Sequence, residues 1–388
     1  MPADRWFGAG CCVGGARERA GARAVDDALI HDDPKLLIVF CSQAHDLRQL
    51  LRQIRERAGD VPLIGCTTAG EIATAGPSDA SVVVAALGGS GFAVRTTVAT
   101  DVSGNLREAG AHVARSLPDR ADLPHKVVLL LSDGLAGDQQ ELVRGAHGVL
   151  GASVPLVGGC AGDDLKMIRT FQLYDDCVLS GSVVAAGIAS NAPLGIGVRH
   201  GWRRAGEPML VTSSTGTRVY TLDDRPALDA YLERLGVSEP AFPDQEALVR
   251  LALTHPLGLG RPYGEDKVRF IRGADFAERS LSCIAEVPQG APVWIMRADA
   301  RSVLEATEAA CDESLAALGG RPPLGMIVFD CVARRAVLGE EGVRSEGGRL
   351  AARASGAPVA GFYTYGEIAR TRGVRGFHNQ TLVVLAVG

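Results

Sequence analysis

The chain has 388 residues and a formal net charge of −5, because 40 Lys and Arg stand against 45 Asp and Glu. Hydrophobic residues make up 46% and charged residues 22%, a balance typical of a globular protein with a large core and about two or three domains. The acidic balance without basic runs argues against nucleic-acid binding, and no apolar run reaches the ~18 residues of a membrane-spanning helix.

The amino-terminal residues and the cysteines favour a cytoplasmic protein. Residues 1–15 contain no long apolar segment, so we expect no signal peptide. The nine cysteines form no C-x-x-C pair and lie mostly in apolar runs. We therefore expect reduced thiols that pack as small hydrophobic side chains, and no zinc site.

One unit recurs three times along the chain. Each copy begins with an apolar run typical of a strand and continues with a helix-length segment. It then closes with Pro, two small or apolar residues, Gly, a short loop, Gly and an acid, and another apolar run follows. The predicted first strands are 35–42, 126–132 and 324–331; the helices are 45–58, 139–150 and 340–355; the closing stretches are 62–72, 155–164 and 358–368; the final strands are 81–87, 182–189 and 381–387.

The closing stretch predicts a loop that carries an acid at a fixed place. Its first Gly is expected to turn the chain at the end of a short strand with φ above zero, and its second Gly to set the acid after another turn. The repeat therefore predicts equivalent positions for Glu71, for Asp163 or Asp164, and for Glu367. Strands that alternate with helices favour parallel pairing, and such sheets bind ligands at the carboxyl ends of their strands.

Different material lies between the second and third copies. Residues 207–224 and the runs 267–271, 280–287 and 292–297 predict strands, whereas 226–235 and 302–318 predict helices. We place a domain boundary near Leu222. The predicted fold is α/β, with repeated strand–helix–strand units in mixed sheets and two intimately associated domains. The predicted parts are an N-terminal extension at 1–24, a first domain at 25–222 and a second domain at 223–388.

Seven stretches resemble the FIST family, bacterial sensory modules with an N-terminal and a C-terminal FIST domain. They are 65–72, 131–137, 154–164, 226–236, 256–258, 361–368 and 377–382. The resemblance covers about residues 25–388 and implies a non-enzymatic small-ligand sensor in signal transduction, proposed for the family to recognise amino-acid-like molecules. It also implies an alternative, since some FIST proteins bind haem and report nitric oxide to a histidine kinase. No residues remain after both FIST segments for an output domain, so we expect the signal to pass to a separate partner protein.

The Gly-rich acidic loops predict a site for a zwitterion. Their backbone N–H groups suit a carboxylate, and Glu71 and Glu367 suit an ammonium group. The alternative is that the acids cap turns and that the tyrosines pack with satisfied hydroxyl groups. The predicted ligand-binding residues are Cys66, Thr67, Thr68, Glu71, Gly158, Gly159, Asp163, Asp164, Tyr363, Tyr365, Glu367, His378, Asn379 and Gln380.

Other chemistries have fewer supporting residues. His378 is a candidate hydrogen-bonding group in the pocket or an axial haem ligand, or else it satisfies buried backbone groups; His200 and His255 are weaker haem candidates. The adjacent Asp163 and Asp164 indicate a surface turn rather than a metal site. Without a recognised catalytic motif, enzymatic chemistry would rest on Cys66 or Asp133, and we expect no enzyme.

Overall fold

The computed structural model describes residues 4–14, 19–237, 244–260, 266–371 and 376–388. Across these ranges the chain forms 26 strands and eight α-helices. The strands are β1 (Trp6–Val13), β2 (Pro34–Cys41), β3 (Leu63–Thr67), β4 (Glu71–Ala73), β5 (Gly76–Ser78), β6 (Ser81–Gly88), β7 (Phe92–Ala99), β8 (His125–Ser132), β9 (Leu156–Cys160), β10 (Gln172–Tyr174), β11 (Cys177–Leu179), β12 (Val183–Ser190), β13 (Leu194–Arg199), β14 (Arg203–Thr215), β15 (Arg218–Leu222), β16 (Arg225–Pro226), β17 (Leu257–Leu259), β18 (Lys267–Arg269), β19 (Ile271–Asp275), β20 (Ser280–Cys283), β21 (Pro292–Arg297), β22 (Gly325–Cys331), β23 (Val359–Thr364), β24 (Glu367–Arg370), β25 (Phe377–His378) and β26 (Leu382–Val387). The helices are α1 (Ala20–Ala28), α2 (Leu47–Ala58), α3 (Leu106–Val113), α4 (Gln139–Leu150), α5 (Ala227–Arg234), α6 (Gln245–Thr254), α7 (Ala300–Ala316) and α8 (Val332–Ala354).

The threefold repeat is confirmed, and each copy builds one six-stranded mixed sheet. The parallel pairs are β2–β3, β8–β9 and β22–β23, and the strands β6, β12 and β26 each run antiparallel to the first member of a pair. The first sheet has the order β1-β6-β2-β3-β10-β11, the second β25-β24-β9-β8-β12-β7, and the third β13-β26-β22-β23-β4-β5. The prediction of an α/β fold with repeated units in mixed sheets is therefore confirmed.

The helices of the first two units, α2 and α4, form where apolar residues recur at helical spacing. In α2 the buried residues Leu50, Leu51 and Ile54 occupy one face, and the Asp46 side chain caps the helix by accepting a hydrogen bond from the Gln49 backbone N–H. Asp138 caps α4 in the same way, through the backbone N–H of Gln140. Both helices therefore begin at an acidic cap and place their apolar face on the sheet.

The short strands after the closing loops do not stay in the sheet of their own unit. Strand β4 pairs with β23 in the third sheet, β24 pairs with β9 in the second, and β10 pairs with β3 in the first. The three units thus exchange strands in a closed cycle. The two predicted domains are intimately associated, since the third sheet takes β4, β5 and β13 from the first predicted domain and β22, β23 and β26 from the second.

The faces of the three sheets share a core. The ring of Phe362 in the third sheet lies 4.7 Å from that of Phe40 in the first and 5.9 Å from that of Phe329. Leu131 and Val184 of the second sheet belong to the same buried cluster. Burial of apolar surface on this scale is the main force that holds the units together.

The material between the second and third units forms an eight-stranded sheet from β14–β21, with α5 and α6 packed beside it. The residues predicted as an N-terminal extension include β1, which pairs with β6 along its whole length as part of the first sheet. No described helix combines the length and apolar character that crossing a membrane requires.

Helix α8 differs from its prediction. It begins at Val332, directly after β22, rather than near residue 340, and its backbone leaves the helical region at Gly339, where φ is 63°. Gly adopts this conformation without a steric penalty. The predicted segment 340–355 is therefore the second half of a kinked helix, and the first half was missed.

Candidate ligand site

The loops that follow β3, β9 and β23 meet at one place, which we call the loop junction (residues 67–71, 160–164 and 363–367). Backbone hydrogen bonds join the first loop to the second (Gly162 N to Thr67 O, 2.9 Å) and to the third (Ala69 N to Tyr363 O, 3.0 Å). Cys160 N donates to Gly366 O at 2.8 Å and joins the second loop to the third. The repeated loops therefore converge.

Glu71 and Glu367 occupy matching positions in this junction, and both are fully buried. Glu71 accepts hydrogen bonds from the Thr68 hydroxyl and from Ser81, whose N–H and Oγ lie 2.9 and 2.6 Å away. Glu367 accepts the same three bonds, from the Thr364 hydroxyl and from the N–H (3.1 Å) and hydroxyl (2.7 Å) of Thr381. Each carboxyl fastens its loop to the start of the final strand of its unit, β6 or β26.

Burial changes the acidity of both groups. It raises the pKa of Glu71, against the hydrogen bonds from Ser81 and Thr68 that favour the ionised form. It raises the pKa of Glu367 to about 7, again against the opposing hydrogen bonds from Thr364 and Thr381. Glu367 therefore titrates near neutral pH.

The prediction that Asp163 or Asp164 occupies the position equivalent to Glu71 and Glu367 is wrong. Strand pairing places Gln172, at the start of β10, opposite Cys66, just as Glu71 lies opposite Phe362 and Glu367 opposite Gly159. Gln172 accepts a hydrogen bond from Ser182 N at 3.2 Å, so an uncharged amide takes the place of the acid. The middle unit has extra residues between Gly162 and Gln172, so its matching position lies beyond the acids that the repeat spacing indicates.

Asp163 instead organises that extra segment. Its buried carboxyl accepts backbone N–H bonds from Met167 (2.9 Å), Ile168 (2.7 Å) and Arg169 (2.9 Å), and the hydroxyl of Tyr365 donates to it. Burial opposes ionisation, but these hydrogen bonds outweigh it and lower the pKa of Asp163. Asp163 is therefore an ionised anchor of the loop.

Beside the junction lies a cavity of about 580 Å³, here called the interdomain cavity. It is bounded by all three units, because its walls come from the loop after β2, the junction, the segment after Asp163 and the first turns of α8. Its walls are mainly apolar and carry four polar side chains. The lining residues are Ser42, Ala44, Ala69, Asp79, Ala80, Asp164, Leu165, Leu253, Val332, Arg335 and Ala336.

The polar groups of the cavity include charges of both signs. Arg335 Nη1 lies 2.9 Å from Asp79 Oδ1 and 2.9 Å from the Ala69 carbonyl oxygen, and its guanidinium stacks 4.6 Å above the centre of the Tyr363 ring. Burial opposes the charged guanidinium, but Asp79 outweighs burial and the pKa of Arg335 is raised. Asp164 Oδ2 accepts a hydrogen bond from Ser42 Oγ at 3.3 Å.

Comparison with known families decides the identity of the chain. The FIST N domain model matches residues 35–225 and the FIST C domain model matches residues 227–370. The chain belongs to the FIST family. FIST domains are sensory-type domains, so the protein has a sensory role.

Two of the three relatives described here match this FIST protein over nearly the whole length of both chains. An uncharacterised protein of Mycobacterium tuberculosis is 26% identical over 375 residues, covering 94% of each chain. An uncharacterised protein of Mycobacterium bovis is 25% identical over 386 residues, covering 97% of each chain. An uncharacterised protein of Methanocaldococcus jannaschii is 25% identical over 155 residues, 38% of this chain and 30% of its own.

Of the residues predicted to bind a ligand, Asp164 is the one that borders the interdomain cavity of this FIST protein. The ring of Tyr363 stacks against the Arg335 guanidinium. The other predicted ligand-binding residues in or beside the junction are buried: Cys66, Thr67, Thr68, Glu71, Gly158, Gly159, Asp163, Tyr365 and Glu367. His378, Asn379 and Gln380 follow β24; the Gln380 side-chain amide donates to the carbonyl of the cavity residue Leu253 at 3.1 Å.

Sequence reasoning missed most of the cavity. Arg335, Val332 and Ala336 lie on the unpredicted first half of α8. Asp79 lies outside the repeated stretches, and Ser42, the last residue of the first predicted strand, was not predicted to contact a ligand. One signal was available. Arg334 and Arg335 come three and four residues after the end of the apolar strand of the third unit, near the carboxyl end where such sheets bind ligands.

Two of the three histidines considered as haem ligands, His378 and His200, have Nε2 beside a backbone carbonyl oxygen. His378 Nε2 lies 2.9 Å from the Ala369 carbonyl oxygen, and His200 Nδ1 accepts from Trp202 N at 2.8 Å while its Nε2 lies 3.0 Å from Asp266 O. His255 Nδ1 lies 3.3 Å from Leu251 O. Among the residues that the structure describes, no histidine lines the interdomain cavity.

Cys66 and Asp133, the two residues considered for catalysis, have structural surroundings: the Cys66 thiol is buried and the Asp133 carboxyl is hydrogen-bonded. Burial, with a further contribution from Cys41, raises the pKa of the fully buried Cys66 thiol well above its ordinary value, which opposes the thiolate that a nucleophile needs. The Asp133 carboxyl accepts bonds from Leu135 N (2.8 Å), Gly181 N (2.9 Å) and Thr170 Oγ1 (2.8 Å). Asp133 therefore closes a turn.

Proposed function

We propose that this FIST protein is a non-enzymatic sensor that binds a small amino-acid-like zwitterion in the interdomain cavity and signals to a separate partner protein such as a histidine kinase. The observation that carries the proposal is the combination of one guanidinium and two carboxyl groups with apolar walls in a single cavity. A zwitterion needs both signs of charge, and an apolar side chain needs the walls.

Each cavity group has a role in this binding mode. Arg335 donates hydrogen bonds to the ligand carboxylate, which replaces Asp79, because a planar guanidinium pairs with a carboxylate through two parallel hydrogen bonds, as Arg335 does with Asp79. Asp164 accepts hydrogen bonds from the ligand ammonium group. Leu165, Leu253 and Val332 contact the ligand side chain, which favours aliphatic amino acids.

The position of the cavity supports a sensory role. Its walls come from residues on both sides of residue 226, where the two FIST domains meet. A ligand that contacts both sides stabilises the arrangement in which they lie close together, and a partner protein that prefers this arrangement reads the ligand.

A thermal-shift screen of the free amino acids tests the proposal. A ligand at one hundred times its Kd adds about 2.7 kcal/mol of stability, so the melting temperature rises. We expect an aliphatic amino acid to give this rise with the wild type and with Asp176→Asn, an exposed control, and to give much less with Asp164→Asn. A flat response to every amino acid, or an equal rise in both variants, would refute the proposed site.

A further inference from the structure

Residues 164–169, here called the apolar loop, expose three large apolar side chains at the molecular surface. The exposed fractions are 60% for Leu165, 56% for Met167 and 79% for Ile168, which is the most exposed large hydrophobic residue in the described part of the chain. Single exposed apolar side chains are ordinary on a protein surface, but three within four consecutive residues form a patch. The patch therefore fits a partner that takes up apolar surface.

The backbone of the apolar loop is strained and is held by one buried acid. Three residues that carry side chains have positive φ: 55° at Asp164, 62° at Leu165 and 54° at Met167. Such conformations persist where the surrounding contacts determine them, and they are frequent at functional sites. Here the Asp163 carboxyl determines them, because it accepts the backbone N–H groups of residues 167–169 at 2.7 to 2.9 Å. The exposed apolar side chains are thus fixed on a built loop.

Two cations lie among the apolar side chains of this loop. Lys166 and Arg169 are both exposed, and neither forms an ion pair with an acid of the described ranges. Arg169 Nε donates instead to Ser180 Oγ at 3.2 Å. Asp164, the acid of the loop, lines the interdomain cavity, where it accepts from Ser42. The outer surface of the apolar loop therefore combines apolar side chains with positive charge.

We propose that the apolar loop binds the surface of an anionic lipid bilayer. Its three apolar side chains enter the interface between head groups and acyl chains, and Lys166 and Arg169 contact lipid phosphate groups. This binding is an activity beyond ligand sensing and does not depend on the proposed ligand. Because Asp164 and Leu165 also border the interdomain cavity, the bilayer contact lies next to the proposed ligand site.

The size and the chemistry of the patch favour a lipid surface over a second protein. Three side chains expose a few hundred Å² of apolar surface, whereas a stable protein–protein interface buries about 800 Å² on each partner. A bilayer requires no complementary shape. Each apolar side chain that enters it leaves water independently, and each Lys or Arg near its anionic surface adds a favourable electrostatic contribution. One short loop with both kinds of residue is therefore enough for reversible binding to a bilayer.

Sedimentation of the ligand-free full chain with vesicles tests the proposal. We expect the wild type to bind vesicles of phosphatidylglycerol and phosphatidylcholine in equal parts, more weakly in high salt, and to bind vesicles of phosphatidylcholine alone much less. Ile168→Ser should bind the anionic vesicles more weakly by about tenfold or more, because the large apolar side chain is gone. Ile30→Ser, which changes an isoleucine that is 51% exposed, is the matched control and should bind as the wild type does.

Two further variants separate the charge of the loop from its insertion. Lys166→Gln should weaken binding to the anionic vesicles by about fivefold at low salt, whereas Arg301→Gln, at an exposed position on α7, should leave it unchanged. The tryptophan emission of Ile168→Trp should shift to shorter wavelength on addition of the anionic vesicles, and lipids brominated in their acyl chains should quench it. Ile30→Trp should show neither effect.

Three results would overturn the proposal: no binding of the wild type to the anionic vesicles, equal binding of wild type and Ile168→Ser, or emission of Ile168→Trp that the vesicles leave unchanged. Self-association of the wild type without vesicles that Ile168→Ser abolishes would assign the loop to a second copy of the chain and would also overturn it. Neither Ile168 nor Lys166 lines the interdomain cavity and no amino acid is added, so failure here is distinguishable from failure of the amino-acid screen.

Discussion

Single residues show how the repeat uses acids for structure. Glu71 and Glu367 were predicted to face an ammonium group, yet each accepts three hydrogen bonds from its own unit and lies away from the cavity wall. The sequence located these acids because they recur at a fixed spacing. It did not separate a ligand contact from a loop anchor, since that difference depends on Ser81 and Thr381, which are distant in sequence and adjacent in space.

Glu367 makes stability depend on pH. Its pKa rises from an ordinary value of 4.5 to about 7 on folding, so the folded state binds the proton more tightly than the unfolded state. The free energy of unfolding should therefore decrease as pH rises from about 4.5 to about 7, by on the order of 3 kcal/mol. Urea unfolding at a series of pH values measures this decrease in the free energy of unfolding.

Glu367→Gln should flatten this pH dependence, because the amide does not titrate. Glu340→Gln, at an exposed position on α8, is the matched control and should retain the wild-type profile. An unchanged slope in Glu367→Gln would show that another group carries the effect.

At the scale of elements, the spacing of apolar residues predicted those helices that are determined by their own local sequence. The 3.6-residue spacing of apolar side chains gave α4 at residues 139–150, as observed. The exchanged strands β4, β10 and β24 were not predicted, because their partners belong to other units. The first half of α8 was missed, since it follows β22 without a loop and contains a buried Arg334 where an apolar residue would have signalled a helix face.

The first Gly of each closing stretch has a different role from the one expected. Gly65 and Gly361 do not turn the chain; a Cβ at either would lie 2.4 Å from Val39 O or 2.1 Å from Val328 O in the neighbouring parallel strand. At Gly158 the corresponding distance to Leu130 O is 1.9 Å, and φ is 151°. Gly permits a close approach of the paired strands. The expected turn role holds for the second Gly of the first and third copies, with φ of 114° at Gly70 and 159° at Gly366, whereas Gly162 in the middle copy has no positive φ.

Gly158→Ala should therefore destabilise the protein by several kcal/mol, on the order of 3 kcal/mol or more, because its Cβ meets backbone atoms that cannot move alone. Gly148→Ala is the control: it lies in α4 with open space around it and should stabilise by up to about 1 kcal/mol. Chemical denaturation of both variants checks the contrast. Equal effects would show that the strands can separate to accept a methyl group.

At the scale of the whole molecule, the cyclic exchange of strands makes the two halves of the chain interdependent. The third sheet needs β22, β23 and β26 from the second half, and β9 in the second sheet needs β24. A fragment of residues 1–225 should therefore show no cooperative unfolding transition, whereas the full chain should unfold with a coincident change in both halves. Circular dichroism of the fragment tests this, and a sharp transition would mean that the first half folds alone.

Haem binding is the alternative for the sensory role, with His378 as the predicted axial ligand. Titration of haem into the purified protein should give no saturable Soret band that depends on His378, because its Nε2 is occupied by the Ala369 carbonyl. A stoichiometric band in the wild type that is lost in His378→Ala would contradict this reading of the site.

Calorimetric titration of the aliphatic amino acids into wild type, Arg335→Gln and Arg353→Gln tests the ligand proposal most directly. Arg353 lies on the same helix but pairs with Asp312 at the surface, so it is the matched control. We predict saturable binding of at least one amino acid to the wild type and to Arg353→Gln, and binding to Arg335→Gln that is weaker by about tenfold or more. Equal affinity in all three proteins, or no binding of any amino acid to the wild type, would contradict the proposal that the interdomain cavity recognises a zwitterion.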